Sequence, residues 1–150
     1  MRKFEVVIDS AIKYDVKDVK MPKRATKYSA GYDVYSPIEI TIMPGTAEMI
    51  WTNLKVKMNN DEYLMLCSTS GMGKKDVRLA NGVGIIDSDY YSNPSNDGNF
   101  GYRLVNFGKE PYEIKVGDKI GQAIFMKYLI VDDEEEVTEE RVGGFGSTVK

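Results

Sequence analysis

Asp87 stands where the apolar run GVGII meets the acidic and aromatic run DSDYY, across residues 82–91. A carboxylate there reads in two ways. Asp and Ser side chains cap turns at strand ends, and a carboxylate at a pocket rim can hold and deprotonate a water. The chain has no histidine, which removes Ser/His/Asp and Cys/His catalysis, His-ligated zinc and the usual neutral-pH proton shuttle. Acid and base work therefore falls to carboxylates, lysine or tyrosine. Asp87 does not stand alone, because groups suited to chemistry gather in blocks: AGYDV at 30–34, CSTSGMGKK at 67–75, NGVGIIDSDY at 81–90, GDKIGQAIF at 117–125 and RVGGFGST at 141–148.

Short strands must position these blocks. Ile38, Ile40 and Ile42 alternate with Glu39 and Thr41, and Leu54, Val56 and Met58 with Lys55 and Lys57, which predicts half-buried strands. The runs FEVVI, YLMLC, GYRLVNF, YEIKV and QAIFMKYLIV predict more, split by the turn signals MPGT, NGVG, NPSNDG and KVGDK. Helical periodicity is nowhere sustained, and one short helix is expected near Gly71 to Asp76. Many short strands with frequent turns predict an all-β sandwich or barrel-like fold.

A chain of 150 residues, 42% hydrophobic, can bury one core and has no room for a second full domain. Its formal charge of -3, from 20 basic and 23 acidic residues, advertises no surface for polymeric nucleic acid, although a small anion needs only locally gathered donors. The single cysteine, Cys67, can form neither an internal disulfide nor a thiolate cluster. It is expected as a buried strand residue in a reducing, cytoplasmic setting. No apolar run approaches membrane-spanning length, so no membrane association is expected. The segment VDDEEEVTEER at 131–141 and the ending GGFGSTVK have the composition of a solvated linker and tail. Phe145 among glycines, followed by Ser147 and Thr148, is nevertheless an odd way to write a linker and would suit a tail that closes over a ligand. The expected division is a β domain over 1–130 and a linker plus glycine-rich arm over 131–150.

Taken in order, the five blocks resemble the motifs of the trimeric dUTPase family, bacterial or phage type, over essentially the whole chain. NGVGIIDSDY is similar to that family's uracil-binding β-hairpin and GGFGST to its C-terminal closing arm. The resemblance implies a β-clip, jelly-roll-like subunit with a flexible arm. It also implies a homotrimer whose three sites each draw on all three chains. The implied reaction is dUTP plus water giving dUMP and pyrophosphate, with Mg2+. Such a displacement runs on positioning and electrostatics and needs no histidine.

By motif position the resemblance assigns Asp87 to the attacking water. A carboxylate is a weak base at neutral pH, so orientation must supply much of its effect. Tyr90 would pack against the deoxyribose and leave no space for a 2′-hydroxyl, its alternative being an ordinary core tyrosine. Hairpin backbone around Gly82 and Gly84, with Asn81, would read uracil, although Asn81-Gly82 is also a plain turn signal. Ser68, Thr69, Ser70 and Gly71 would form the hydroxyl-rich phosphate loop, with Gln122 on phosphate and Asp118 and Lys119 in subunit salt bridges. Arg141, Ser147 and Thr148 would reach the γ-phosphate side, with Gly146 in the arm and Phe145 over the base. Asp33 would organise metal-bound water, while Mg2+ is held mainly by substrate phosphates; a structural hydrogen bond is its alternative role.

The second block departs from the family, which has an arginine where this chain has Ser68 or Thr69, according to register. Lys74, Lys75 and Arg78 are the nearby cations that could replace it, although lysine lacks the planar fork. The missing arginine keeps open a catalytically weakened nucleotide-binding or regulatory protein. A dCTP deaminase relative would need a different Ser/Arg/Glu arrangement around the hairpin. The sequence also leaves open a regulatory protein partner.

Overall fold

Alternating side chains put one row of each strand into a shared interior, and the computed structural model, which describes residues 1–146, closes short strands around it. In chain order these are β1 (Lys3–Val6), β2 (Tyr32–Tyr35), β3 (Ile40–Ile42), β4 (Ala47–Trp51), β5 (Leu54–Lys57), β6 (Glu62–Cys67), α1 (Ser70–Gly73), β7 (Val77–Leu79), β8 (Gly84–Asp87), β9 (Gly101–Asn106), β10 (Tyr112–Ile114) and β11 (Lys119–Lys127). They form a four-stranded sheet in the order β2-β11-β6-β8, a three-stranded sheet β4-β9-β7, and the pairs β1-β5 and β10-β3. All pairing between these strands is antiparallel. Ile50, Leu64, Leu66, Tyr102, Leu104 and Ile120 from both larger sheets meet in one core. The fold is all-β, as the alternation predicts.

Local detail departs from the sequence reading where tertiary contacts intervene. QAIFMKYLIV does not extend as one strand: β11 ends at Lys127, and Leu129, Ile130 and Val131 are exposed. The helix spans Ser70–Gly73 rather than the region near 71–76, because the Thr69 hydroxyl accepts the Met72 N–H at 3.2 Å and so starts it. Strands β2 and β4 lie in AGYDV and AEMIW, which short-range alternation did not flag; their partners β11 and β9 hold them extended. Cys67 closes β6 half-buried, and burial pushes its thiol pKa up.

The loop after β7 positions the site. β7 pairs with β9, whereas β8 crosses to β6 in the other sheet. Residues 80–83 therefore turn a corner between sheets instead of closing a two-stranded hairpin. Gly82 takes φ +75°, and a Cβ on Gly84 would lie 3.0 Å from the Leu66 side chain, so glycine lets β8 lie close to β6 without displacing Leu66.

Candidate active site

At this corner lies a cavity of about 330 Å³. Asn81, Gly84, Asp87 and Tyr90 line it from the corner and β8, and Arg141, Gly144 and Phe145 line it from the arm. Asp87 is the last residue of β8, opposite Tyr63 of β6, and its side chain is half exposed. Its Oδ2 accepts from Arg141 Nη2 at 2.6 Å, and Arg141 Nε donates to Asp89 Oδ1 at 2.6 Å. The arm arginine thus bridges two carboxylates where the family resemblance puts it on phosphate.

Tyr90 closes a short 3-10 turn over Ser88–Tyr90 and is buried. It belongs to the core, the alternative foreseen for it, and also lines the cavity. Burial raises its pKa, partly offset by a hydrogen bond from Asn96 and the nearby Arg141 charge, so it stays a neutral phenol at working pH. A Cβ on Gly144 would lie 2.6 Å from the Tyr90 ring, so the arm rests directly on that tyrosine. Phe145 lies edge-on to Trp51, ring centroids 5.2 Å apart, and takes a left-handed φ of +53°. Gly146 has φ +88°. Ser147 and Thr148 lie outside the described residues.

The remaining predicted residues form a second group away from this cavity. Gln122 sits on β11 between Asp33 of β2 and Cys67 of β6, and its Nε2 donates to the Ser68 carbonyl at 3.1 Å. Gly31 makes room for it, since a Cβ there would overlap the Gln122 amide. The Ser68 hydroxyl accepts the Leu79 N–H at 3.0 Å and the Thr69 hydroxyl caps α1, so both are committed to the fold. Ser70 and Gly71, in the first turn of α1, are exposed. Asp33 and Lys119 pair at 2.8 Å within the chain, and Asp118 accepts the Lys115 N–H, so neither Asp118 nor Lys119 depends on another subunit for a partner. Ser68 lies five residues beyond the Asp87 partner Tyr63, about 16 Å along an extended chain at ~3.3 Å per residue.

The cations nominated from sequence are elsewhere. Lys75 lies over the Tyr112 ring at 5.8 Å and Arg78 over Phe107 at 4.4 Å, and neither they nor Lys74 line the cavity. Arg103 does line it. It projects from β9 between the buried Tyr102 and Leu104, and its carbonyl receives the Ala80 N–H at 2.8 Å. Sequence reasoning passed over Arg103, yet the alternation of GYRLVNF points it outward as a lone cation on a core strand. Asp89 is a second omission, visible only through its bond to Arg141.

Mg2+ takes oxygen donors and in nucleotide sites keeps one or two carboxylates plus water and phosphate. No cluster of three or more acidic, histidine or cysteine side chains suited to a metal occurs among the described residues. Asp33, a single carboxylate sharing its charge with Lys119, fits an ion held chiefly by substrate and water.

The chain matches the dUTPase family model over residues 17–149. The deoxyuridine 5'-triphosphate nucleotidohydrolase of Lactococcus lactis subsp. lactis (strain IL1403) is 42% identical over 150 residues, covering 99% of this chain and 97% of that protein. Among solved structures, the dUTPase from Streptococcus mutans is similar with a TM-score of 0.75 at 33% identity, over 86% of this chain and 98% of that one. A dUTPase variant from phage phi11 of S. aureus, which coordinates a structural Mg(II) ion, shares the fold at a TM-score of 0.68 and 20% identity, over 93% of this chain and 97% of that one.

Proposed function

The chain belongs to the dUTPase family and hydrolyses dUTP to dUMP and pyrophosphate, and we propose that its attacking water is held by Asp87. The observation that carries this assignment is the single cavity in which Asp87, Tyr90, Asn81 and the arm residues Arg141 and Phe145 meet. Asp87 presents a half-exposed carboxylate at a strand end, where a rigid backbone fixes its direction and water can reach it. The Gly82–Gly84 backbone and Asn81 read the uracil edge, and the Tyr90 ring fills the space a 2′-hydroxyl would need. Phe145 and Gly144 close over the nucleotide from the arm, excluding bulk water. When substrate arrives, its phosphates compete with Asp87 and Asp89 for Arg141. The guanidinium moves to the triphosphate and leaves the Asp87 carboxylate free to accept a proton from water.

Asp33 would reach a phosphate-bound Mg2+ through water, and the ion would supply charge neutralisation of the triphosphate. Ser68, whose carbonyl Gln122 holds, lies about 16 Å along an extended chain from Tyr63, the β6 partner of Asp87, and Ser70 and Gly71 follow it in α1, a separation that suits a site completed by another copy of the chain. A homotrimer brings the base half of one protomer to the phosphate half of the next. The half-buried free thiol of Cys67 suits a reducing compartment such as the cytoplasm.

Pyrophosphate release with Mg2+ tests the substrate assignment. We expect dUTP to be hydrolysed far faster than dCTP, dTTP or UTP, and no ammonia from dCTP. Equal turnover of dCTP and dUTP would remove the assignment of the cavity to uracil.

A further inference from the structure

The run SNPSNDGN at 92–99 reads in the sequence as a turn-rich connection between β8 and β9. In the structure it is a hydrogen-bonded cage around one atom, the Tyr90 hydroxyl. That hydroxyl donates to the Asn99 carbonyl at 2.9 Å and accepts from Asn96 Nδ2 at 2.7 Å. The second Nδ2 proton of Asn96 goes to the Asn99 carbonyl at 3.1 Å, while its Oδ1 accepts from Asn93 Nδ2 at 2.9 Å and from the Gly98 N–H at 3.1 Å. Every donor and acceptor of the Asn96 amide is therefore used. Neither a carboxylate nor an aliphatic side chain could reproduce this set.

The cage is fixed to the core. Asn99 is fully buried, donating from Nδ2 to the Ala11 carbonyl and accepting the Asn53 N–H at Oδ1, each at 3.0 Å. Asp97 takes Lys55 Nζ and the Ile8 N–H, each at 2.8 Å. Gly98 sits at φ +89°, and a Cβ there would come within 2.8 Å of the Tyr90 carbonyl. The loop thus grips Tyr90 at its backbone and its hydroxyl together.

We propose that Asn96 is a positioning residue that fixes the Tyr90 ring at the depth and tilt that exclude a ribose 2′-hydroxyl. It therefore sets discrimination between dUTP and UTP without touching the nucleotide. This rests on Tyr90 being the sugar-facing residue. A ring held only by packing can rock about its side-chain torsions, and a small displacement admits one extra oxygen. Bonds at the para hydroxyl oppose that movement at the longest lever arm.

The test measures kcat/KM for dUTP and UTP in four proteins, alongside thermal melting: wild type, Asn96→Ala, Tyr90→Phe and the double variant. Asn96→Ala, through loss of the neutral bond it shares with the Tyr90 hydroxyl, should lower the dUTP/UTP ratio by about three- to tenfold, chiefly by raising kcat/KM for UTP. Tyr90→Phe, which keeps the ring and deletes only the hydroxyl, should lower it by a similar factor. Because both changes break the same bond, the double variant should fall little further than either alone. An Asn96→Ala protein that melts lower yet keeps the wild-type ratio overturns the proposal. If Asn96→Ala does not fold, an unchanged ratio in Tyr90→Phe overturns it equally. Tyr90→Leu separates the premise. Should removing the aromatic ring leave discrimination intact, the sugar-facing assignment of Tyr90 fails; should it collapse discrimination while Asn96→Ala and Tyr90→Phe do nothing, only the positioning role fails.

Discussion

Arg141 Nη2 holds Asp87 Oδ2 at 2.6 Å, and the proposed mechanism has this carboxylate exchange that partner for the attacking water. Replacing it by Asn keeps its shape and removes the charge. We expect Asp87→Asn to retain nucleotide binding while kcat falls on the order of 10² or more, measured as single-turnover pyrophosphate release; near-wild-type kcat would return Asp87 to the role of a turn residue. The hydroxyl block behaves differently. Thr69 is the cap of α1, so Thr69→Arg should lose about 0.5–2 kcal/mol of stability in urea unfolding. A gain in kcat/KM without that loss would show the cap to be dispensable. Lys75, lying over Tyr112 and outside the cavity, should change kcat/KM by a factor below about two when replaced by Ala.

Among the elements, the arm and the 92–99 loop contribute in opposite ways. Among the described residues, the chain after β11 adds Arg141, Gly144 and Phe145 to the cavity but no strand to either larger sheet. Truncation after Glu140 should therefore preserve cooperative unfolding while kcat/KM falls at least about tenfold; unchanged turnover would make the arm a linker. The 92–99 loop is tied down by the buried Lys55–Asp97 pair at 2.8 Å. Lys55→Met, which leaves Asp97 buried and unpaired, should cost about 3–5 kcal/mol, and adding Asp97→Asn should restore part of it. Burial pushes the Asp97 carboxyl up, but the bonds from Lys55, the Ile8 N–H and Ser92 outweigh it and hold it below the usual carboxylate value. Its stabilisation is therefore full above the unfolded pKa of about 3.9 and is lost as pH falls through the lower folded value. A melting curve taken against pH should drop less steeply below about pH 4 in Asp97→Asn than in wild type.

At the scale of the whole molecule, one chain offers two incomplete halves. The residues proposed for base and sugar line one cavity, those proposed for phosphate lie around Gln122 and α1, and Leu129 is 97% exposed beyond the end of β11. An apolar segment this exposed gains by burial against another copy. Sedimentation at working concentration should give about three times 16.9 kDa, and specific activity should fall on dilution through the dissociation range. A fully active monomer would refute a shared site.

The sequence alone was enough to read the all-β class, and its resemblance to a family nominated Asp87, Tyr90 and the arm, of which Asp87, Tyr90, Arg141 and Phe145 line one cavity. Period-two alternation and glycine placement are local signals, so strands such as β5 and β6 and the corner at Gly82 can be seen in a few residues. The tertiary structure decided what distance along the chain conceals. The corner is no hairpin, because β7 and β8 find their partners in different sheets. Ser68 is bound to strand backbone, because β7 returns beside the end of β6. Arg103 reaches the cavity where Lys75 does not, because β9 passes beside the corner and Lys75 packs on Tyr112. The loop carrying NPSNDG is fixed beneath Tyr90 through Asn53 and Lys55, about forty residues earlier in the chain, and through Ile8 and Ala11, earlier still. Hydrogen bonds of that span follow from which surfaces the core brings together, and no local pattern of residue types encodes them.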